Sequence, residues 1–309
     1  MKIIYVDTII FDLQHAGGIS VYWYEIINRM LVDKEVEPYF IVSDDKKDNI
    51  YWDKLNLPQD KVVKYKPVQY NRNKKQEISV KVKNLEQLES ALECNIDRIY
   101  YEDTNSIDKA MSLAMKYNKK VIYSAPRIIR NKEYNHLAKA NNAGVASVQV
   151  GNYGSIDYFK GKELNIDYYL NAFNSETINY YKEIGADTLC ISQELNINEI
   201  KETIKYTDIN IESVVYGYTP LMITEYCPMG VIVRDCKKDK RVAKCKESIY
   251  ALRNSKGDEF RVSQDIFCRS TIYNSNVTCM LDNLYELHEI GINVLRLDFT
   301  LEDNYEMLK

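Results

Sequence analysis

Four cysteines lie close together in the last third of the sequence: Cys227, Cys236, Cys245 and Cys268, within 42 residues of irregular, charged sequence. Thiolates bind both zinc and the iron of iron–sulfur clusters. The gaps of eight, eight and 22 residues are wider than the paired Cys-x₂-Cys knuckles of zinc ribbons. The chain has no secretory cleavage pattern, so a disulfide framework is disfavoured. The spacing favours an iron–sulfur cluster whose ligands are brought together by the tertiary fold. A zinc site and no metal are the alternatives.

The other three cysteines, Cys94, Cys190 and Cys279, fall inside periodic apolar segments. Free cysteine packs as a small apolar residue in such segments. We therefore expect these three to be buried thiols without a ligand role.

A second set of candidate residues is polar and falls where predicted strands end. Its members are Glu102 and Asp103, Arg127, Asn152 and Tyr153, Asn171 and Asn174, Glu194, and Tyr216. Arg127 can bind an anionic group bidentately, and Glu194 can act as an acid or base if burial raises its pKa. We expect Glu194, Arg127 and Tyr216 to be catalytic and Glu102, Asn152, Asn171 and Asn174 to bind substrate. Each residue taken alone also fits a structural hydrogen bond at a strand end.

Hydrolase motifs are missing from the sequence. There are three histidines, His15, His136 and His288, and neither His-Glu-x-x-His nor Gly-x-Ser-x-Gly occurs. A Cys–His dyad would require His136 or His288, both on predicted peripheral helices, to enter the site.

Composition limits the class of protein. The chain has 309 residues, 45% of them hydrophobic, and a formal charge of −4. No apolar run approaches the roughly 18 residues that a membrane helix needs, so we expect a cytoplasmic protein without a membrane partner. A local basic run contains Lys237, Lys238, Lys240, Arg241, Lys244 and Lys246. Such a run is typical of a solvated loop, and its alternative is a phosphate-facing patch.

The elements that must position these residues follow from residue 76 onward, where short β-rich runs alternate with helical patterns. Strands are predicted at 77–82, 98–102, 120–124, 146–150, 166–170, 188–192, 212–216 and 293–298. Eight parallel strands with intervening helices predict a (β/α)₈ barrel, an α/β fold of about 250 residues. The segment 217–279 is then an insertion between strands seven and eight at the C-terminal face, where barrel enzymes keep their chemistry.

Residues 1–72 have a different pattern and are predicted to be a separate small segment. A strand at Lys2 to Ile10, a Gly17-Gly18 turn, a helix from about Ser20 to Leu31 and a strand at Tyr39 to Ser43 form one βαβ unit. The polar stretch 69–76 has the composition of a linker. The predicted domains are therefore 1–72 and 76–309.

Residues 76–309 resemble peptidase family U32, the collagenase-like proteins, in the form that occupies the second half of large members. The matching stretches are 80–88, 98–102, 125–128, 171–175, 192–195, 221–230, 260–262 with Asp265 before Cys268, and 296–300. The resemblance implies a barrel and two competing activities. The family is classed as peptidases, whereas several members hydroxylate RNA bases or a quinone precursor without molecular oxygen.

The hydroxylating members use a [4Fe-4S] cluster on four cysteines, and the resemblance implies the same cofactor here. One departure concerns the first ligand. Those members carry a cysteine three residues after the glycine of strand seven, where this chain has Pro220 after Gly217. Cys236 would then supply the fourth thiolate beside Cys227, Cys245 and Cys268.

The N-terminal segment resembles the first βαβ unit of family 4 glycosyltransferases, through residues 11–23 with the Gly17-Gly18 turn. In that family the turn lets backbone amides approach a donor phosphate at a helix N-terminus. The second nucleotide-binding domain of those enzymes has no counterpart here. We therefore expect a truncated glycosyltransferase-like segment or docking element.

The leading functional hypothesis is an iron–sulfur enzyme that hydroxylates an RNA base or similar aromatic ring. The first alternative is a U32 peptidase, and the second is a non-catalytic module that binds RNA or a partner. RNA or a second U32-type barrel protein is the expected partner.

Overall fold

The structure is a computed structural model and describes residues 2–8, 10–13, 15–43, 47, 49–65, 75–232 and 250–302. Cys236, Cys245 and the basic run from Lys237 to Lys246 lie outside the described residues. The chain divides into two compact units, Met1–Tyr70 and Asn71–Lys309. None of the helices in the described ranges is long and apolar enough to cross a membrane.

The first unit is a three-stranded parallel sheet with helices. Its elements are strand β1 (Lys2–Asp7), helices α1 (Ile10–Leu13) and α2 (Gly18–Val32), and strands β2 (Val36–Ser43) and β3 (Val62–Tyr65). The predicted strand–helix–strand is present, and the sheet order is β1-β2-β3. Strand β3 is not predicted, because four residues are too few to show a period. Its core is built by Val6, Phe11, Ile27 and Phe40.

The second unit contains all remaining elements. Its strands are β4 (Glu77–Val82), β5 (Arg98–Tyr101), β6 (Val121–Ser124), β7 (Ser147–Val150), β8 (Glu163–Ile166), β9 (Ala186–Cys190), β10 (Asn210–Gly217), β11 (Pro220–Thr224), β12 (Tyr250–Arg253), β13 (Glu259–Gln264), β14 (Ser270–Tyr273), β15 (Thr278–Cys279) and β16 (Val294–Phe299). Its helices are α3 (Leu85–Glu93), α4 (Ile107–Lys116), α5 (Tyr134–Asn142), α6 (Tyr153–Tyr158), α7 (Ser175–Glu183), α8 (Ile197–Ile204), α9 (Pro228–Ile232) and α10 (Leu284–Ile290).

Eight of these strands close into a parallel barrel. Strands β4 to β9 are neighbours in chain order around the barrel. Strand β16 lies between β10 and β4 and pairs with both. Strand β10 also pairs with β9, which closes the ring. The predicted (β/α)₈ barrel is confirmed.

One predicted strand is displaced along the chain. Strand β8 ends at Ile166, and the predicted continuation through Tyr168–Leu170 is a 3-10 turn. Tyrosines favour strands, but the Asp167 carboxylate accepts the Tyr168 amide at 2.8 Å and begins the turn. The side-chain hydrogen bond overrides the strand propensity.

Alternation along the strands separates an apolar layer from a polar interior. Val80, Val82, Ile99 and Tyr101 belong to the apolar core that includes the buried helix residues. Neighbouring positions point to the other face, since successive strand side chains alternate. These positions are polar and buried, and they include Ser79, Lys81, Tyr100, Gln149, Asn165, Glu212 and Arg296. The barrel therefore has a charged interior.

The described part of the inserted segment carries regular structure. Strands β11, β14, β13 and β12 form an antiparallel sheet in that order. The hairpin between β12 and β13 turns at Gly257, whose φ is 92°. The Asn254 side chain accepts the Lys256 and Asp258 amides at 2.9 and 3.0 Å, a frequent turn device.

Candidate functional site

A cavity of about 580 Å³ opens where barrel strands end and the inserted sheet covers them. Its barrel side comes from the ends of β4, β5, β6, β8 and β16, and its other side from β11 to β14. The residues used below are Lys81, Lys83, Glu102, Arg127, Tyr169, Cys227, Arg261, Ser263, Gln264, Asp265, Cys268, Arg269 and Tyr273. This is the C-terminal face that the sequence predicts for the site.

Lys81 forms the cavity floor, at 5% exposure. Its Nζ lies 3.2 Å from Glu102 Oε1 and 3.3 Å from Asp167 Oδ2. Burial disfavours the ammonium, but Asp167 and Glu102 outweigh burial and raise the pKa of Lys81 above its ordinary value. Lys81 therefore stays protonated and acts as a hydrogen-bond donor rather than a base.

Below Lys81, a fully buried arginine organises the carboxylates of the barrel interior. Arg296 Nη2 lies 2.9 Å from Asp167 Oδ1, Nη1 lies 3.0 Å from Glu212 Oε2, and Nε lies 2.8 Å from Asp298 Oδ1. Glu212 Oε1 also accepts Ser79 Oγ at 2.7 Å and Tyr100 Oη at 3.0 Å. A buried charge needs such partners, because desolvation alone costs several kcal/mol.

This interior cluster contains more acids than bases. Lys81 and Arg296 face three buried carboxyls, those of Asp167, Glu212 and Asp298. Burial opposes ionisation of Asp167, but Arg296 and Lys81 outweigh it and lower its pKa. Asp298 shows the opposite result, because burial and the neighbouring carboxylates raise its pKa to about 6 despite Arg296. One proton is therefore held on the cluster under mildly acidic conditions.

Three cations on the cavity wall each lie over a tyrosine ring. Arg127 Cζ is 4.1 Å from the Tyr169 centroid, Arg261 Cζ is 5.3 Å from that of Tyr218, and Lys83 Nζ is 5.8 Å from that of Tyr273. Lys83 Nζ also donates to Ser263 Oγ at 2.9 Å. Within the described residues, none of the three forms a salt bridge. Ring contacts hold the cations without neutralising their charge.

Two of the four clustered cysteines, Cys227 and Cys268, line this same cavity and are partly exposed. Gln264 Nε2 donates to Cys227 Sγ at 3.7 Å and to Met229 Sδ at 3.2 Å. Cys268 has a φ of 63°, a conformation that few residues other than glycine adopt. The predicted partners Cys236 and Cys245 are not among the described residues.

The buried-thiol expectation holds for one of the other three cysteines. Cys190 is buried, Cys94 is partly exposed at the end of α3, and Cys279 is exposed in β15. The expectation for Cys279 is wrong, because β15 is a two-residue edge strand on β10. Edge strands leave side chains open to solvent.

Three of the nine predicted polar residues, Glu102, Asp103 and Arg127, line the cavity. Asn152 and Asn174 instead begin helices α6 and α7, since their side chains accept the Ser155 and Thr177 amides at 2.8 Å each. Asn152 Nδ2 also donates to the Pro126 carbonyl at 3.0 Å and supports the Arg127 loop. These asparagines act in the structure as helix caps.

The remaining predicted residues lie outside the cavity lining. Asn171 is an exposed left-handed residue that ends a 3-10 turn, with a φ of 53°. Glu194 is exposed after β9. Tyr216 in β10 packs on Phe299, with ring centroids 5.5 Å apart. The rim loops that follow β7 and β9 thus contribute no cavity residue.

The interior charges Lys81, Asp167, Glu212, Arg296 and Asp298 are absent from the predicted site. A signal was available, because each is a charged residue within or directly after a strand that is otherwise apolar or β-branched. Charged residues almost never lie in such positions unless they are paired. A further residue absent from the predicted site is Arg269, which is buried next to Cys268.

No histidine in the described part of the chain lines the cavity. His136 on α5 packs edge-on against Phe267, with centroids 4.7 Å apart. Burial lowers the pKa of His136 below its ordinary value. It packs against the Cys268 loop from outside the cavity lining.

Two of the predicted thiol donors are compatible with an iron–sulfur cluster. Cys227 and Cys268 fit one, since both are partly exposed soft ligands facing one cavity. No group of three or more His, Cys, Asp or Glu side chains forms a metal site within the described ranges. Cys227 and Cys268 are two of the four cysteines predicted as ligands.

Comparisons with known proteins are consistent with this architecture. The family model of peptidase family U32 matches residues 83–308. No curated protein matches the chain. The U32 peptidase Mk0906 is 11% identical with a TM-score of 0.46, and the match covers 77% of this chain and 98% of that one.

Two further solved structures with other activities are also similar. The spore cortex-lytic enzyme SleL of Bacillus cereus is 10% identical, with a TM-score of 0.37 and coverage of 75% of this chain and 73% of that chain. The YdjI aldolase of Escherichia coli K12 is 12% identical, with a TM-score of 0.36 and coverage of 45% and 67%. The family match spans most of the chain and seven of the eight barrel strands, so this chain belongs to peptidase family U32.

Proposed function

We propose that the barrel is an iron–sulfur-dependent enzyme that hydroxylates an RNA base or a similar aromatic ring. The observation that carries this proposal is the shared cavity of Cys227, Cys268 and Arg127 at the C-terminal face. Two candidate cluster ligands and three cations thus face the same space. The U32 resemblance to oxygen-independent hydroxylases gives the reaction class.

The cavity wall supports an anionic, flat ligand. Lys83, Arg127 and Arg261 carry positive charge without a described carboxylate partner, and each is held over a tyrosine ring. Arginine binds phosphate oxygens bidentately and stacks on aromatic rings. We infer that these three residues bind the phosphates or the ring of the substrate, and that the inserted sheet excludes water above it.

The floor supplies a fixed hydrogen-bond donor. Lys81 stays protonated between Glu102 and Asp167 and points its ammonium into the cavity. We infer that it donates to an exocyclic oxygen of the bound ring. Glu102 lies in the lining and pairs with Lys81, so we infer that it is the acid or base. Glu194 and Tyr216 would have to act from outside the lining.

The four cysteines Cys227, Cys236, Cys245 and Cys268 would hold the [4Fe-4S] cluster. When bound, such a cluster supplies one-electron chemistry at a potential set by its surroundings. The residues of this chain would bind the ligand, orient its ring and keep water out.

The first experiment is anaerobic purification with absorbance spectroscopy and analysis of iron and zinc. We expect a brown, iron-containing protein whose colour and iron are lost in Cys227→Ser and Cys245→Ser, because serine oxygen replaces a soft thiolate poorly. Cys279→Ser is the matched control and should keep both, since Cys279 lies outside the cavity. A colourless zinc protein would contradict the cluster.

The second experiment concerns the substrate. RNA from cells that lack the protein should lose a nucleoside carrying one extra oxygen atom, detected by mass spectrometry of digested RNA. Binding to RNA should weaken by about one log unit per log unit of salt for each phosphate contact. Salt-insensitive binding, or none with the cluster intact, would contradict an RNA substrate and leave a small aromatic molecule. Salt-sensitive RNA binding by a metal-free protein would favour a non-catalytic module.

Peptide hydrolysis is the second candidate function. The observation that favours it is the packing of His136 on Phe267, next to Cys268. Hydrolysis of peptides that survives chelation and disappears in His136→Ala or Glu194→Gln would support the peptidase. Hydrolysis unaffected by both changes would exclude these residues as its base.

A further inference from the structure

The side chain of Arg269 joins three segments at the cavity. It is 1% exposed, so its charge is desolvated. Its Nε lies 2.8 Å from Glu225 Oε1, and its Nη2 lies 2.6 and 2.7 Å from the two oxygens of Glu133. Its Nη1 donates to the Ile128 carbonyl at 3.1 Å and lies 3.5 Å from Asp265 Oδ2. One guanidinium thus contacts partners 44 and 136 residues away.

The first segment leads to Cys227. Glu225 precedes that cysteine by two residues, and its Oε1 is shared between Arg269 Nε and Arg130 Nη2, the latter at 2.9 Å. The chain around Cys227 is therefore attached at its start to two arginines. Gln264 contacts the thiol itself from strand β13.

The second segment is the loop that contains Cys268. Asp265 Oδ1 accepts the Phe267 and Arg269 amides at 2.8 and 2.9 Å. The Asp265 carbonyl accepts the Cys268 amide at 3.2 Å. The guanidinium of Arg269 also lies over the Phe267 ring, 4.8 Å from its centroid. This closed loop holds Cys268 in its left-handed conformation.

The third segment is the barrel rim after β6. Glu133 accepts the Arg130 amide at 2.8 Å and begins the 3-10 turn before α5. Ile128 follows Arg127 directly. The rim is thus fixed by barrel elements, and Arg269 attaches both cysteine segments to it.

We propose that Arg269 is a positioning residue that sets the distance between Cys227 and Cys268 at the cavity. A lysine could not replace it, since lysine lacks the planar fork that bonds Glu133 and Glu225 together. The inference rests on the proposed function only for the identity of the group that the two thiols bind. Both thiols line the same cavity in the metal-free chain.

The test is a cross-linking measurement on the metal-free full chain. A short bifunctional thiol reagent is added, and the cross-linked peptides are mapped by mass spectrometry. We expect a Cys227–Cys268 product from the wild-type protein and from Arg253→Gln. Arg253 is a suitable control because it pairs with Glu259 on the surface of the same sheet. Arg269→Gln should reduce the yield about tenfold or more, because the two thiols lose their effective concentration.

Two further variants keep the test decisive if Arg269→Gln does not fold. Arg269→Lys should restore the yield only in part. Glu225→Gln releases the Cys227 segment while Glu133 still pairs with Arg269, so it should lower the yield and speed alkylation of Cys227 but not of Cys268. A wild-type protein without the Cys227–Cys268 product would overturn the proposal. Wild-type yields in a folded Arg269→Gln protein, or in Glu225→Gln, would overturn it equally.

The cofactor measurement separates this proposal from the proposed function. If the purified wild-type protein contains no iron but gives the expected cross-links, the cluster hypothesis is contradicted and the proposed role of Arg269 is supported. If the purified protein contains iron but its metal-free form gives the same cross-linking yield with Arg269→Gln as without it, the cluster is supported and the role of Arg269 is contradicted.

Discussion

Cys268 combines a reactive side chain with an unfavourable backbone conformation. Its φ of 63° places a residue with a Cβ in the left-handed region, which costs about 1–2 kcal/mol relative to ordinary backbone. The Asp265 hydrogen bonds and the buried Arg269 hold it there. Strain of this kind is frequent at functional sites, and here it lies on a residue that faces the cavity.

Two replacements of Cys268 distinguish the role of its thiol in metal binding from the cost of its backbone conformation. Cys268→Gly and Cys268→Ala both remove the sulfur, so both should lose bound iron. Cys268→Ala should be less stable than Cys268→Gly by up to about 1 kcal/mol, because only glycine adopts a positive φ without a steric cost. Urea unfolding of the two metal-free proteins measures the difference. Equal stability, or a more stable alanine variant, would show that the loop relaxes.

At the scale of elements, strands β10 and β16 approach each other closely at Gly217. This glycine ends β10 with a φ of 141°, and a Cβ there would lie 2.8 Å from both Cβ and the carbonyl oxygen of Asp298. A side chain would therefore push on the backbone of β16 next to the interior charge cluster. The inserted sheet begins three residues later at Pro220, so this contact also fixes where the insertion leaves the barrel.

Gly217→Ala should destabilise the barrel by about 2–4 kcal/mol, from the positive φ together with the forced shift of β16. Gly144→Ala is the matched control. Gly144 has a φ of +77°, but a Cβ added there would meet no heavy atom within 4 Å, so only the backbone cost of about 1–2 kcal/mol applies. Chemical denaturation of both variants gives the comparison. Similar losses of stability in the two variants would show that strand β16 shifts at little energetic cost.

At the scale of the whole molecule, the barrel interior couples stability to pH. Three buried carboxyls share two cations, and the pKa of Asp298 is raised to about 6 from an ordinary 3.8. In that pH window the folded chain holds a proton that the unfolded chain has released. The contribution of this group to stability is therefore full below about pH 4 and falls as pH rises toward 6.

Asp298→Asn should remove this pH-dependent contribution to stability, because an amide does not titrate. The wild-type protein should lose about 2 kcal/mol relative to the variant between pH 4 and pH 6. Urea unfolding at pH 4, 5 and 6 measures the change in the difference between the two proteins. A difference that stays constant with pH would mean that Asp298 is ionised throughout.

The sequence by itself determined the barrel and part of the site. Periods of two and 3.6 residues are local properties, so seven of the eight strands and the helices between them were predictable from spacing. Glu102, Arg127, Cys227 and Cys268 were predictable as cavity residues because strand ends and the long insertion meet at one face. Helix capping by Asn152 and Asn174 was equally local, and it explains why those polar residues are not part of the cavity.

Only the tertiary structure decided which strand ends face the cavity and which charges meet. Lys81 reaches Asp167 across 86 residues, and Arg269 reaches Glu133 across 136. No spacing in the sequence encodes such pairs, because barrel closure and the placement of the inserted sheet set their distances. Desolvation then makes each pair obligatory, since a buried charge without its partner costs several kcal/mol. The chemistry of the site thus depends on contacts that exist only in the folded chain.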